Sequence, residues 1–168
     1  MIKTKTQYLQ ELKIFTGKDP QRRCMWSIYV EPAQDGCGIF LYATNAAIAV
    51  RICDESGFCD KPRQQIKTDF DFGCLKKNIA INDDSFLIEN EYANSFLRLA
   101  DLFEGKRYPV FSGDFCVDAA FIGLCAHLNN GKQTVIKIFS ANGNNNDKLF
   151  IDLPDKPYMS VALMGIRL

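Results

Sequence analysis

The sequence predicts an α+β fold made of two βαβββ units, one near each end of the chain. The order strand, helix and three strands occurs at the start and again at the end, without obvious sequence identity between the two copies. The last stretch, Lys148–Leu168, supports this order because it contains two apolar, β-prone runs around a turn.

The first unit begins with a short strand that leads directly into a helix. Thr6 is predicted to cap this helix, which runs to Phe15 and ends at Gly17. Leu9, Leu12 and Phe15 lie on one helical face, which predicts that this face is buried. The strands of this unit are predicted at Ile2–Lys5, Met25–Val30, Gly38–Ala43 and Ala46–Cys53.

The second unit repeats this order after a short strand. Its helix, Val117–Leu128, carries an apolar stripe at helical spacing, and the Asn-Asn-Gly sequence that follows is expected to end it. The strands of this unit are predicted at Asp114–Cys116, Thr134–Ser140, Leu149–Leu153 and Tyr158–Leu168.

The C-terminal run is strongly apolar up to its last residue. Pro154 and Pro157 interrupt the preceding strand, because proline donates no hydrogen bond and fixes its own φ. Leaving the following run in water would be costly, at roughly 25 cal/mol per Å² of apolar area. We therefore expect this end to be a strand within a sheet, or the wall of a pocket.

The middle of the chain, 57–113, departs from the repeated order and is predicted to be an insertion or an extra half-unit. Glu55–Gln65 is predicted to be a loop. Phe86–Glu89 and Phe96–Leu99 have the pattern of a hairpin. A helix over Asn94–Phe103 is the competing prediction, and periodicity does not decide between the two.

Length and charge limit the classes of protein. The 168 residues suffice for one domain, predicted over 1–168, and the formal net charge is zero. A protein that neutralises phosphates usually has a basic excess, although a local basic strip is compatible with a neutral total. Neither a signal peptide nor an apolar stretch of about 20 residues is present, so a cytoplasmic protein without membrane contact is expected.

Motifs of enzymes and metal sites are absent from the sequence. The seven cysteines form no CxxC pair, and His127 is the one histidine. This favours reduced, buried thiols over zinc ligands or disulfides. The sequence has no glycine-rich phosphate loop or nucleophile elbow. We therefore expect a protein that is not an enzyme and that needs no cofactor or metal.

Three segments resemble the bacterial DNA sliding clamp, the β subunit of the replicative polymerase. Ile39–Val50 contains Ala-Thr-Asn where that family commonly has Ala-Thr-Asp before a new strand. Asn45 stands in place of the Asp, and both side chains can bond their own backbone in a tight turn. Phe86–Phe111 resembles the family's hairpin and its Tyr-Pro connector. The ending Met-Gly-Ile-Arg-Leu, at 164–168, resembles the family's Met-Pro-Met/Val-Arg-Leu.

The resemblance implies a sliding-clamp-like domain of two βαβββ units, with helices on one side and antiparallel sheets on the other. The helices of such a domain face double-stranded DNA through non-specific phosphate contacts. For this chain the resemblance suggests DNA-facing residues at Lys5, Lys13, Lys18, Arg22 and Arg23. The pair Arg22-Arg23 also fits an ordinary solvated loop, and the second helix has no Lys or Arg.

Clamps also hold short partner peptides in an apolar pocket beside their C-terminal strand. The residues implied for such a pocket are Met164, Gly165, Ile166, Arg167 and Leu168. Gly165 replaces the usual proline, and Met164 and Ile166 fit equally well as core residues.

Two hypotheses follow from the resemblance. One is a replication processivity protein that tethers a DNA polymerase or another replication protein to DNA, with a homo-oligomeric ring as one form that it could take. The other is a protein-binding module that captures replication proteins without encircling DNA. The short chain suggests a phage or mobile-element protein in either case.

Overall fold

The computed structural model describes residues 1–34, 36–69, 77–82, 87–88, 99–104, 106–109, 120, 123–124, 137–140 and 148–163. Strands dominate this part of the chain. They are β1 (Ile2–Lys5), β2 (Ser27–Pro32), β3 (Ile39–Thr44), β4 (Ile48–Asp54), β5 (Phe58–Cys59), β6 (Gln64–Lys67), β7 (Asn78–Ile81), β8 (Leu87–Ile88), β9 (Tyr108–Pro109), β10 (Lys137–Ser140), β11 (Leu149–Asp152) and β12 (Met159–Leu163). The helical elements are α1 (Thr6–Lys13) and a 3₁₀ turn, Arg23–Met25.

The larger sheet has a nearly symmetric strand order. Its nine strands run β8-β6-β2-β3-β4-β12-β11-β10-β9, and every recorded pairing is antiparallel. β4 and β12, the last strands of the two predicted units, meet at the centre, with Val50 opposite Val161. From this seam the strands continue outward in reverse chain order, β3-β2 on one side and β11-β10 on the other, which is the arrangement expected of two related units. β6, β8 and β9, from the middle of the chain, form the outer strands. The α+β prediction is confirmed.

The two faces of this sheet have different compositions, because neighbouring strand residues point to opposite sides. One face, here called the helix face, consists of aliphatic residues packed with α1. Its buried members include Ile28, Val30, Ile39, Leu41, Val50, Ile52, Ile151 and Val161. The other face, here called the aromatic face, contains Tyr29, Tyr42, Ala49, Phe150 and Ala162, packed with Leu99 and Phe103.

α1 packs as its sequence predicted, but it is shorter. Leu9, Leu12 and Phe15 are fully buried, so the predicted apolar face is confirmed. The helix ends at Lys13 rather than Phe15, because the next N–H groups bond three residues back, from Phe15 to Leu12 and from Thr16 to Lys13.

The start of α1 differs from the predicted cap. Lys5 occupies the N-cap position and makes no side-chain capping bond. Thr6 instead donates its hydroxyl to the Lys77 carbonyl at 2.7 Å, and its N–H donates to the same oxygen at 3.1 Å. Thr6 therefore joins the helix to the chain just before β7. β7 and β5 pair with β1 in a separate three-stranded sheet.

The described part of the C-terminal run, Met159–Leu163, forms the strand that its composition predicted. β12 lies between β4 and β11, and Leu149 of β11 faces Leu163. The turn between β11 and β12 closes through two bonds, from the Lys156 N–H to the Leu153 carbonyl and from the Met159 N–H to the Lys156 carbonyl, each at 2.9 Å.

An ion pair joins the two units on the helix side of the sheet. Lys156 Nζ, from the turn after β11, donates to Glu11 Oε1 of α1 at 2.6 Å, and both side chains are largely buried. The Tyr158 hydroxyl lies 3.3 Å from both carboxylate oxygens of Glu11. Its ring packs on Tyr8 with 4.8 Å between the centroids.

Two predictions for the middle of the chain need correction. The predicted loop Glu55–Gln65 contains β5 and the start of β6. These short segments become strands because β5 pairs with β1 and β6 pairs with β2. The predicted strand Phe96–Leu99 is wrong at Leu99, since residues 99–101 are helical and begin a turn with bonds three residues apart. This agrees with the competing helix prediction.

Several predictions fall outside the described residues. They include the strand Asp114–Cys116 and most of the hairpin and of the second helix, although Ala120, Gly123 and Leu124 are helical as predicted. Among the described residues, no helix is long and apolar enough to cross a membrane.

Candidate functional site

An apolar pocket opens on the aromatic face, beside the C-terminal strand. We call it the terminal-strand pocket, and its volume is about 540 Å³. Ala162 and Leu163 of β12 line it, together with Leu99 and Leu102. Further lining comes from the 3₁₀ turn and β2, from the end of β3 through β4, and from the residue before β11: Cys24, Met25, Tyr29, Thr44, Ala46, Ala47, Ile48, Ala49 and Lys148.

The turn from β3 to β4 shapes the mouth of this pocket. Asn45 Oδ1 accepts the N–H of Ala47 at 3.2 Å and that of Ile48 at 3.0 Å. Thr44 Oγ1 donates to the Ile48 carbonyl at 2.9 Å and accepts the Ala46 N–H at 3.1 Å. These bonds hold Ala46 at a φ of 77°, in the left-handed region that residues other than glycine rarely adopt.

Lys148 is the one cation among the described lining residues of the terminal-strand pocket. Its Nζ donates to the Leu102 carbonyl at 2.6 Å and lies 5.0 Å from the Phe150 ring centroid. Burial of the ammonium lowers the pKa of Lys148, and the nearby Arg107 adds to this effect. The described part of the lining thus combines apolar side chains with one positive charge that is already oriented.

Aromatic–cation contacts continue along the same face. The Arg51 guanidinium lies 4.9 Å from the Phe40 ring centroid and 5.1 Å from that of Phe103, and it pairs with Glu104 at 3.7 Å. These contacts fix the residues beside Leu102, and with them one wall of the terminal-strand pocket.

A second cavity, here called the Trp26 groove, lies at the C-terminal end of α1. Its volume is about 1080 Å³. The described lining residues come from α1, from the loop after it, and from the end of β6: Gln10, Lys13, Ile14, Thr16, Gly17, Lys18, Trp26, Lys67, Thr68 and Asp69. Three lysines and one aspartate give this lining a positive balance.

Close packing of the loop after α1 creates the Trp26 groove. The Gly17 N–H donates to the carbonyls of Met25, at 2.8 Å, and Thr44, at 3.2 Å. A Cβ at Gly17 would lie 3.1 Å from the Met25 Cβ, so a larger residue at this position would require Met25 to shift by a few tenths of an ångström.

Comparison with solved structures identifies the architecture around these two cavities. DNA polymerase III subunit beta from Borrelia burgdorferi superposes with a TM-score of 0.63 at 14% identity, over 100% of this chain and 64% of that one. The DNA polymerase sliding clamp from Bacillus subtilis gives a TM-score of 0.57 at 9% identity, over 99% and 64% of the two chains. The C. crescentus beta sliding clamp gives 0.51 at 13%, over 99% and 66%.

The protein has the sliding-clamp fold. No family model and no curated protein matches it by sequence. The chain spans 64% of the first two clamps with which it superposes. At this level of identity the comparison establishes the fold, and it confirms the fold that the resemblance implied.

Within this clamp fold, the predicted peptide-pocket residues Met164, Gly165, Ile166, Arg167 and Leu168 lie outside the described residues. Leu163, the last described residue, lines the terminal-strand pocket and immediately precedes them. The assignment of these five residues to a peptide pocket therefore stays a prediction.

Most of the residues that form the terminal-strand pocket carry no signal in the sequence. Tyr29, Leu99, Leu102 and Lys148 lie far apart in the chain and share no motif. Asn45 was the available signal, since its turn chemistry predicted the tight connection that now forms the pocket mouth.

The five predicted DNA-facing residues do not form one cluster. Lys13 and Lys18 both line the Trp26 groove. Lys5 lies at the other end of α1, where its Nζ donates to the Tyr8 hydroxyl at 3.1 Å, and this bond raises the pKa of Lys5. Arg22 pairs with Asp19 at 3.7 Å on the surface, and Arg23 begins the 3₁₀ turn.

Among the described residues, no group of three or more His, Cys, Asp or Glu side chains is arranged to hold a metal ion. The most buried of the described thiols, Cys59, lies 2.7 Å from the Lys61 carbonyl and 2.9 Å from Gln64 Oε1. Burial raises the pKa of the Cys59 thiol, which disfavours the reactive thiolate.

Proposed function

We propose that this protein is a clamp-type scaffold that holds a replication protein by docking an apolar segment of that partner in the terminal-strand pocket. The observation that carries the proposal is the position of this pocket against Ala162 and Leu163 of the C-terminal strand. Replicative DNA polymerase is the first partner to consider, because two of the superposed structures are named for DNA polymerase and have the same fold.

The dimensions of the terminal-strand pocket suit such a segment. About 540 Å³ lies within the range of roughly 300–1,000 Å³ typical of ligand clefts, which are mostly apolar with a few placed polar groups. Alanines at the mouth and leucines on the walls leave room for one or two large apolar side chains. Lys148 supplies the placed polar group and favours a partner segment that carries a carboxylate near its apolar anchor.

The test is a binding measurement with a rim variant and a matched control. Ala47→Arg places a cation at the pocket mouth, whereas Ala80→Arg adds the same side chain at an exposed position of β7. We expect Ala47→Arg to weaken binding of the purified replicative polymerase from the same organism at least about tenfold, since a charge there must be desolvated on docking. Equal affinities of the two variants would overturn the proposal.

A second candidate function is tethering of the partner to double-stranded DNA, as in a processivity factor. Lys13 and Lys18 meet at one end of α1, next to Lys67, and this supports a phosphate-contacting surface. α1 itself carries one lysine and one glutamate, so its own charge is balanced. For this reason we place DNA tethering second to partner docking.

The proposed tethering to DNA is tested by light scattering over a concentration series, followed by measuring how long the protein is retained on circular DNA. A discrete homo-oligomer that remains on closed circles and leaves linearised DNA would support a ring. A protein that stays at 19.0 kDa at all concentrations would exclude self-assembly into a ring. Partner docking would then stand alone, as the protein-binding module without DNA.

A further inference from the structure

The Trp26 groove combines positive charge with exposed apolar surface. Lys13, Lys18 and Lys67 outnumber Asp69 among its described lining residues. Ile14 is 47% exposed and Trp26 is 38% exposed at the same place. Large apolar side chains left in water beside a cluster of cations indicate a binding surface for a ligand that is anionic and has an apolar face.

Trp26 is held in place before any ligand binds. Its indole Nε1 donates to the Asp19 carbonyl at 2.9 Å, and its own carbonyl accepts the Thr68 hydroxyl at 2.6 Å. Because the ring already has a fixed orientation, a ligand that binds it loses little entropy in ordering it, and part of the ring surface stays open to solvent. A fixed, half-exposed indole is suited to stacking on a flat ring.

Aromatic stacking combined with a cationic groove is the chemistry by which proteins bind single-stranded nucleic acid. Nucleobases supply the flat apolar ring, and the phosphates supply the negative charge. A duplex would satisfy only the lysines, because its bases are stacked on one another and offer no free face. The volume of about 1080 Å³ is large enough for a base together with its sugar and phosphate.

We propose that the Trp26 groove binds single-stranded nucleic acid, with a base stacked on Trp26 and phosphates beside Lys13, Lys18 and Lys67. The proposal rests in part on the second candidate function, because the two share Lys13 and Lys18. It goes further by specifying the strand state and a base-stacking residue. It does not depend on ring closure or on the terminal-strand pocket.

Trp26 provides its own reporter, since the chain has a single tryptophan. We would titrate the full chain with oligothymidylate, with oligouridylate and with a DNA duplex, each of about 12 nucleotides per strand, a length within the usual site sizes. The expected result is quenching of tryptophan fluorescence by the single strands and weaker or no quenching by the duplex. Stronger quenching by the DNA than by the RNA strand, or the reverse, identifies which single strand is preferred.

Variants then separate stacking from charge, with binding followed by the anisotropy of a labelled strand. Trp26→Leu should weaken binding about fivefold to 100-fold, and Trp26→Phe should restore most of the loss. Lys18→Gln should reduce the salt slope of log K by about 0.7, whereas Lys106→Gln, at an exposed position outside the groove, should leave it unchanged.

The outcomes distinguish this proposal from the functions proposed above. Duplex binding that depends on Lys18 but not on Trp26 would overturn the single-strand proposal and retain DNA tethering. Absence of binding to any nucleic acid would overturn both and leave partner docking intact. If Trp26→Leu fails to fold, as judged by its circular dichroism melt, two measurements still test the single-strand proposal. They are the quenching titration of the unmodified chain and the comparison of Lys18→Gln with Lys106→Gln.

Discussion

The two faces of the nine-stranded sheet are built from the same strands but from different chemistry. The helix face presents Ile and Val side chains that are almost all fully buried against α1 and the small sheet. The aromatic face presents Tyr, Phe and Ala, with Arg51 and Lys148 laid across the rings. The terminal-strand pocket opens on the aromatic face, where Tyr29, Ala49 and Ala162 line it.

This difference separates stability from recognition. Close-packed branched aliphatic residues give large, non-directional stabilisation and leave no room for a ligand. Aromatic rings and small residues leave gaps between side chains, and half-buried cations supply groups that bind in a defined direction. Binding surfaces need both properties. We therefore expect substitutions on the helix face to act on folding, and those on the aromatic face to act on binding with modest effects on folding.

Leu41 provides the most severe test of this contrast. It is fully buried on the helix face, in the middle of β3. Leu41→Ala should reduce the free energy of unfolding by about 2–5 kcal/mol, because it removes buried apolar volume that its neighbours cannot refill. Urea unfolding measures the loss.

The neighbouring residue supplies the control on the same strand. Phe40 is only partly buried on the aromatic face, so Phe40→Leu should cost less than about 1.5 kcal/mol. Equal losses from the two variants would contradict the division between the faces.

Asp54 is the buried carboxylate on the helix side and should give the next largest effect. Its Oδ2 accepts the Thr4 hydroxyl at 2.7 Å, and its Oδ1 accepts the Ser56 hydroxyl at 2.7 Å and the Ser56 N–H at 3.1 Å. Asp54→Asn turns one acceptor into a donor that faces other donors. We expect a loss of about 1–3 kcal/mol in thermal or urea unfolding.

The matched control for Asp54 is an exposed carboxylate on the other side of the sheet. Asp101→Asn removes the same charge at an exposed position and should change stability by less than about 0.5 kcal/mol. A comparable loss in both variants would mean that net charge, rather than the buried hydrogen bonds, explains the effect.

Local patterns in the sequence predicted those parts of the fold that depend on neighbours in the chain. Leu9, Leu12 and Phe15 revealed the buried face of α1 because helical spacing alone places them together. The apolar run at the C-terminus predicted a strand within a sheet, since its exposure would be costly. Asn45 predicted a tight turn, because its side chain bonds backbone within two or three residues.

Non-local contacts were beyond these patterns. β5 and the start of β6 were predicted as loop because such short segments carry little periodicity, and their pairing is decided by β1 and β2. Both cavities are assembled from distant segments as well. Lys148 reaches the Leu102 carbonyl 46 residues away, and Thr68 reaches Trp26 across 42. Spacing along the chain gives no signal for such pairs.

Tyr42 allows the aromatic face to be examined through pH. Its hydroxyl donates to Glu31 Oε1 at 2.7 Å. Burial, and secondly the Glu31 carboxylate, raise the pKa of Tyr42 far above its usual range. The folded protein therefore holds this proton more tightly than the unfolded chain does. The resulting stability is complete below about pH 10, the unfolded value, and is lost as the pH rises above it.

Tyr42→Phe should accordingly cost about 1 kcal/mol at neutral pH and make the alkaline loss of stability shallower. Tyr158→Phe is the comparison on the helix side, because burial and Glu11 also raise the pKa of Tyr158. Urea unfolding between pH 8 and about pH 11 measures both. If the free energy of unfolding of Tyr42→Phe falls with rising pH as steeply as that of the unmodified protein, the folded protein does not hold the Tyr42 proton more tightly than the unfolded chain.

The smallest expected effect concerns Ala46, where stability and recognition meet at the mouth of the terminal-strand pocket. Its φ of 77° costs an alanine roughly 1 kcal/mol, a penalty that glycine does not have. Glycine also gains freedom in the unfolded chain, so Ala46→Gly should raise the free energy of unfolding by a net of about 0.5 kcal/mol.

Ala47→Gly next to it has no positive φ to relieve and should lower stability by about 0.5–1 kcal/mol, which makes it the matched control for Ala46→Gly. The more informative measurement is partner binding by Ala46→Gly. If the strained turn sets the shape of the pocket mouth, this stabilised variant should bind its partner less tightly, because the mouth becomes free to relax. If the affinity is unchanged, the hydrogen bonds of Thr44 and Asn45 alone set the shape of the turn. The partner would then contact residues inside the pocket rather than those at its rim.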